Sequence, residues 1–153
     1  MIVESLGLHP RYVAPLVDGF FAEWPEWCER VGRPVVESIF QSGDGGSLPV
    51  ILAAHEAGEV LGTVALRPYF GEEPMEHTPW VRQFFVFPRY RGHGIDRALG
   101  RAIEGEARRL GHAHLFAATN RIEKLLVRRG WEPFHVVDHE GRPMAWLHKT
   151  ISR

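Results

Sequence analysis

Cysteine is all but absent: a single residue, Cys28, stands in a chain of 153. It cannot close an internal disulfide, which fits a reducing compartment, and no basic or histidine neighbour at an obvious spacing marks it as a nucleophile. No apolar run approaches the roughly 20 residues needed to cross a bilayer. The opening MIVESLGLHP lacks the basic start and long apolar stretch of a secretory leader. Neither sign of charge dominates, since 18 Lys and Arg face 19 Asp and Glu. General attraction to nucleic acid or to an anionic membrane is therefore not expected. Repeats, low-complexity tracts and linkers are lacking too, so residues 1–153 read as one domain, expected in the cytoplasm. What is present is local: Arg82, Arg89, Arg91 and Arg97 fall in one short stretch, where an anionic ligand is expected.

The hydrophobic pattern divides the chain into alternating elements. Residues 1–6 read as an opening strand. Val13, Leu16, Val17, Phe20, Phe21 and Trp24 lie at helical spacing within 9–24, and Pro25 is expected to end that helix. A second short helix is expected from Pro34. Residues 50–56 and 59–67, joined across Ala57-Gly58, predict a β-hairpin. Residues 80–87 form a continuous apolar strand, broken by Arg82 and Gln83. The clearest helix covers 95–110, with Ile95, Leu99, Ala102, Ile103, Ala107 and Leu110 on one face and Gly111 as its stop. A strand at 114–119, a helix at 122–129 and a final hairpin with its turn at Gly141 complete the order β-α-α-β-β-β-α-β-α-β-β. The strand–helix–strand unit from 80 to 119 implies a parallel pair and the hairpins antiparallel ones. The fold class is α/β (α+β): a mixed central sheet with helices on both faces.

The junction VFPRYRGHGIDRALGRA carries the chemistry. Gly92 and Gly94 put no side chains in the way, so backbone N–H groups can converge beside the positive end of the helix that starts near Ile95. That arrangement binds phosphate, and Arg89, Arg91 and Arg97 can add charge at its rim. Two other glycine-rich readings fail on spacing. A P-loop needs Lys and then Ser or Thr after its last glycine, where Ile95 and Asp96 stand. A dinucleotide fingerprint needs a third glycine at the position of Arg97.

The wider pattern is more specific. Val86-x-Pro88-Arg89-Tyr90-Arg91-Gly92-His93-Gly94-Ile95, followed by Ala98-Leu99, resembles the acetyl-CoA signature of the GCN5-related N-acetyltransferase (GNAT) superfamily, whose core is Arg/Gln-x-x-Gly-x-Gly/Ala. Thr78-Pro79-Trp80 before the strand, Thr119 and Arg129-Gly130-Trp131 after it, and Glu23-Trp24-Pro25 in the first helix resemble one bacterial branch. The order of elements is also that of the superfamily. The resemblance implies acetyl transfer from acetyl-CoA, as co-substrate and without a metal, to a primary amine on a small molecule or a peptide N-terminus. It implies that the backbone at Phe84, Phe85 and Val86 pairs with the pantetheine arm and polarises the acetyl carbonyl. The pyrophosphate would meet the amides from Arg91 through Gly92, His93, Gly94 and Ile95 to Asp96, with Arg89, Arg97 and Thr119 also on the cofactor side. Glu23, Trp24, Trp27 and Gln83 would line the acceptor pocket. Homodimers are common among such relatives.

Two residues depart from the pattern. Asp96 stands where a small residue is usual, so it either opposes the pyrophosphate or occupies the first helical turn, where acids are favoured. Leu126 stands where many relatives carry a tyrosine that protonates the departing thiolate. The thiolate then leaves without that acid, takes a proton from water, or is served by another residue; alternatively the chain binds acyl-CoA without efficient transfer, as a sensing domain. Because an alkylamine is mostly protonated near neutrality, transfer also needs a base. Candidates are Glu76 and His77 in the loop before the central strand, Glu23 near the first helix, and Gln83, where some relatives place an acid; Gln83 cannot accept the proton, and Glu76 and His77 are expected to serve. The nine histidines do not form a recognisable metal spacing; His112 and His114 alternate without a third ligand, and His135, His139 and His148 are scattered. Surface histidines and no metal are expected.

Overall fold

In strands 50–56 and 59–67 nearly every side chain is apolar, as expected of strands covered on both faces. The computed structural model, which describes residues 1–41, 47–68 and 77–151, bears this out. Strand β1 (Ile2–Ser5) leads through two short 3-10 turns into three helices, α1 (Val13–Glu23), α2 (Pro25–Val31) and α3 (Arg33–Ser38). There follow β2 (Val50–Glu56), β3 (Glu59–Arg67), β4 (Trp80–Val86), α4 (Ile95–Arg109), β5 (His114–Thr119), α5 (Glu123–Arg128), β6 (Glu132–His139) and β7 (Arg142–Thr150). All seven strands share one sheet in the order β1-β2-β3-β4-β5-β7-β6. Every neighbouring pair is antiparallel except β4 with β5.

Alternation along β2 sorts the core. Val50, Leu52 and Ala54 join one buried cluster with Leu99, Ile103 and Ala107 of α4. Ile51 and Ala53 join the other, with Leu16, Val17 and Phe20 of α1, Cys28 of α2 and Val36 of α3. Helices thus cover both faces. Cys28 is fully enclosed, and burial pushes its thiol above the ordinary range, which keeps it inert.

Pro25 does not simply end the first helix. Trp24 N–H donates to Phe20 C=O at 2.8 Å, closing α1, and Pro25 opens α2 as a first-turn residue whose missing N–H costs no hydrogen bond. The chain therefore has one more helix than its pattern announced. Gly19, an unfavourable residue inside a helix, marks a close approach: a Cβ there would lie 2.7 Å from the Phe87 ring and 3.0 Å from that of Phe85. The parallel pair is brief. Phe116 N–H donates to Pro79 C=O at 3.0 Å, and Trp80 opposite Phe116 is the single register pair between β4 and β5 among the described residues. Beyond it the two strands part, opening the sheet at their C-terminal ends.

Candidate active site

The cleft begins with an irregularity in β4. Thr63 of β3 faces Phe85, and Ala65 faces Arg82, so Val64 alone stands opposite both Gln83 and Phe84. This is a β-bulge, with Gln83 at φ +49°. The Arg67 guanidinium holds it, donating from Nε to Gln83 Oε1 at 2.8 Å and from Nη2 to the Ile39 carbonyl at the end of α3. Burial pulls Arg67 below its ordinary pKa, and the charge of Arg82 adds in the same direction.

Past the bulge, Phe87 N–H donates to Leu61 C=O at 3.0 Å. Phe85 C=O also turns to β3, lying 2.6 Å from where a Cβ of Gly62 would stand. Backbone groups alternate sides along a strand, so Val86 presents its N–H and C=O to the open side. Its carbonyl is taken by Arg91 Nε at 2.8 Å, and its N–H is left facing the cleft. On the same edge, the Phe84 side chain is 40% exposed.

The loop after β4 then delivers a row of amides. Gly92 and Gly94 both sit at φ +83°, a left-handed conformation that costs other residues about 1–2 kcal/mol. The His93 ring N–H lies 3.1 Å from Tyr90 C=O and 3.0 Å from Arg91 C=O, turned back onto the loop. The first backbone bond into α4 runs from Ala98 N–H to Gly94 C=O at 3.1 Å. The amides of Ile95, Asp96 and Arg97 therefore precede the helical ladder, and no side chain caps this end. With the macrodipole of a 15-residue helix behind them, they form an anion site.

These groups line a cleft of about 510 Å³, bounded by Glu23 and Trp24 from the end of α1, by Phe84, Phe85 and Val86, by Tyr90–Arg97 with the exception of His93, and by Arg121 and Arg129 from either end of α5. Four arginines face two carboxylates across it, so its field favours an anion. Both carboxylates are engaged. Glu23 Oε1 accepts from Arg91 Nη2 at 2.8 Å, and Asp96 Oδ2 from Arg129 Nη1 at 2.9 Å. Asp96 thus turns toward α5 and has its charge matched there. Arg129 Nε is buried without a hydrogen-bond partner among the described residues, a donor open to a ligand. Uncapped amides, surplus guanidinium groups and an unsatisfied donor together fit a polyphosphate.

The remaining sequence candidates fall around this cleft. Trp24 lines it, its ring 5.8 Å from that of Phe85, whereas Trp27 packs against the core on the α1 side. Arg89 lies just outside, its guanidinium 4.8 Å from the Tyr90 ring centroid. Thr119 Oγ1 accepts from the N–H groups of Arg121 and Ile122, each at 3.1 Å, and so is used to start α5. Leu126 packs against the α4-side core. His77 sits among aromatic rings, 5.2 Å from Phe116 and from Phe134, with its Nδ1 buried and unpartnered; it is not among the residues lining the cleft. Glu76 lies outside the described residues. The sequence reading did not single out Tyr90, Arg121 or Arg129 as site residues. Arg121 could have been found from its place two residues past a parallel strand, where α/β proteins bind ligands.

A mixed sheet that parts beside an uncapped helix start defines an α/β protein with a cleft suited to an anion between two parallel strands. The comparisons give its family. A sequence model of the acetyltransferase (GNAT) family matches residues 15–131. The chain belongs to that family and is an N-acetyltransferase using acetyl-CoA. Among solved structures, an aminoglycoside 6'-N-acetyltransferase complexed with coenzyme A is 17% identical with a TM-score of 0.82, over 100% of this chain and 98% of that one. An aminoglycoside 6'-acetyltransferase type Ii is 19% identical with a TM-score of 0.81, covering 100% and 99%. The 6'-N-acetyltransferase of Enterococcus faecium is 17% identical with a TM-score of 0.79, covering 100% and 98%. At such identities the likeness is one of fold. No curated protein matches the sequence.

Proposed function

We propose that this enzyme acetylates a primary amine of a small molecule or a peptide N-terminus in the cytoplasm, with the pyrophosphate of acetyl-CoA held on the Gly92–Asp96 amides. The observation that carries this reading is the coincidence of that uncapped helix start with the outward-facing amide of Val86 in one cleft. Arg97, Arg121 and Arg129 add charge at the phosphate end. Phe84, Phe85 and Val86 supply the edge along which the pantetheine arm pairs. A backbone N–H there donates to the acetyl oxygen as negative charge develops on it. Its position is fixed by β3 on one side and by the Gln83 bulge at its root. Trp24 and Glu23 form the acceptor wall; the Glu23 carboxylate, though paired with Arg91, retains lone pairs for an ammonium or amine.

Proton transfers are the lighter part of this mechanism. A thiol with an ordinary pKa of about 8.5 leaves readily as its anion near neutrality, so the apolar Leu126 does not stop the reaction, and the open cleft lets water protonate the thiolate. Removal of the amine proton is assigned to Glu76 or, through water only, to His77, whose ring stands outside the cleft lining. A coenzyme A release assay over a panel of amines, run beside acetyl-CoA titration calorimetry, tests the reading. Binding with turnover on at least one amine is expected. Saturable binding with no turnover on any amine would replace it with a sensing role, for which the packed Leu126 is the motivating feature. If acetyl-CoA does not bind while a nucleotide protects the chain thermally, the cofactor assignment itself is wrong.

A further inference from the structure

Away from the cleft, at the β1 edge of the sheet, three side chains from separate segments meet. We propose that Glu4, His9 and His55 bind one divalent cation of the zinc class, which fastens β1 and β2 to the turn leading into α1. Glu4 Oε1 lies 2.5 Å from His9 Nε2 and 2.9 Å from His55 Nε2, and the three ligand atoms all fall within 4.8 Å of one another. Two neutral imidazoles and one carboxylate are a familiar donor set for zinc, whose bonds of about 2.0–2.1 Å set tetrahedral ligands about 3.3 Å apart. Around an ion, the two glutamate–histidine distances open by less than about 1 Å. That adjustment lies within side-chain torsions.

Two further features suit the ion. His55 Nδ1 lies 3.3 Å from Tyr12 Oη. With Nε2 on the metal, the remaining ring proton sits on Nδ1, and the phenol accepts it as an outer partner that fixes tautomer and ring orientation. Tyr12 is itself buried and receives Arg11 Nη2 at 3.1 Å. An entry path exists as well, because the side chains of Glu4 and His9 remain 35% and 20% exposed while that of His55 is 11% exposed. Binding exchanges two ring N–H donors on one carboxylate oxygen for a single ion.

The site is independent of the acetyl-transfer reading, so its test reads metal and not turnover. The full chain, treated with chelator and dialysed, is titrated with Co²⁺ and then with Zn²⁺. One equivalent of Co²⁺ is expected to give the visible bands of a four-coordinate site, bleached by one equivalent of Zn²⁺. Glu4→Gln, which keeps a hydrogen-bond acceptor and thereby the fold, and His9→Gln are each expected to weaken Co²⁺ binding at least about tenfold. Tyr12→Phe is expected to weaken it about tenfold through the outer partner. Zn²⁺ should raise the melting temperature of the wild type and leave that of Glu4→Gln unchanged, with circular dichroism confirming that each variant is folded. Absence of the cobalt bands in the wild type, or bands of unchanged intensity and affinity in Glu4→Gln and His9→Gln, overturns the proposal.

Discussion

Two strand-to-helix junctions lie side by side at the C-terminal ends of β4 and β5, and they differ in how the loop amides before the helix are used. The β4–α4 junction passes through two left-handed glycines and enters a 15-residue helix with no side-chain cap. The β5–α5 junction carries Thr119, whose hydroxyl takes the amides of Arg121 and Ile122 before a six-residue helix begins. At the first, the amides ahead of the helical ladder lie in the cleft lining; at the second, the loop amides of Arg121 and Ile122 are taken by Thr119 before the helix, and the cleft receives Arg121 and Arg129. Position at the end of a parallel strand makes a ligand site possible, and loop amides left open beside a long helix make the first junction the one suited to an anion.

Breaking the first junction should have the largest effect. Gly94→Val forces a β-branched residue to a φ of +83° and covers the amides. Strain of about 1–2 kcal/mol plus lost contacts should raise the Kd for acetyl-CoA about 100-fold by calorimetry, at about tenfold per 1.4 kcal/mol. The link between the junctions comes next. Arg129→Met leaves Asp96 unmatched beside the phosphates and should raise the KM for acetyl-CoA about tenfold, about 1.4 kcal/mol. Adding Asp96→Asn should recover most of that loss in a double-mutant cycle; no recovery would mean that Arg129 acts on the cofactor alone. Leu126→Tyr should change kcat by less than about threefold, since the leaving thiol needs little acid help. A rise of about tenfold or more would show that protonation of the thiolate limits the rate. The second junction gives the smallest effect on binding. Thr119→Val, which removes the acceptor of the Arg121 and Ile122 N–H groups, should cost about 1 kcal/mol of stability, yet leave the Kd for acetyl-CoA within about twofold; a larger change would show that Thr119 touches the ligand.

Much of this was legible in the sequence because it is local. The hairpin of β2 and β3, the strand at 114–119 and the amphipathic α4 each announce themselves within a short window by period and stop signal. The glycines of the loop likewise report a local backbone need. Helix α2 was missed because a proline is ambiguous: after Trp24 it both ends one helix and opens the next, and only the bond of Trp24 N–H to Phe20 C=O separates the two meanings. Arg129 and Asp96 stand 33 residues apart, and nothing in either segment names the other. Glu4, His9 and His55 are still more dispersed, meeting because β1 pairs with β2 in a register that sets Glu4 opposite Ala53 and Ile2 opposite His55.

Gln83 leaves one consequence for the whole of β4. An extended strand keeps a two-beat rhythm, and the bulge inserts a half-beat. Val81, before it, packs on the α4 side; Val86, after it, packs there too, while Phe85 turns to the α1 side. Odd and even positions have exchanged faces between the two ends of one strand. Straightening the bulge without removing a residue would restore the uninterrupted rhythm and carry Phe85 and Val86 to the wrong sides, along with the backbone edge that faces the cleft. The strand is thus two half-strands set out of step. The first is keyed to Arg67 and the α3 side, the second to the cleft, and the hydrogen bond from Arg67 to Gln83 holds the offset between them.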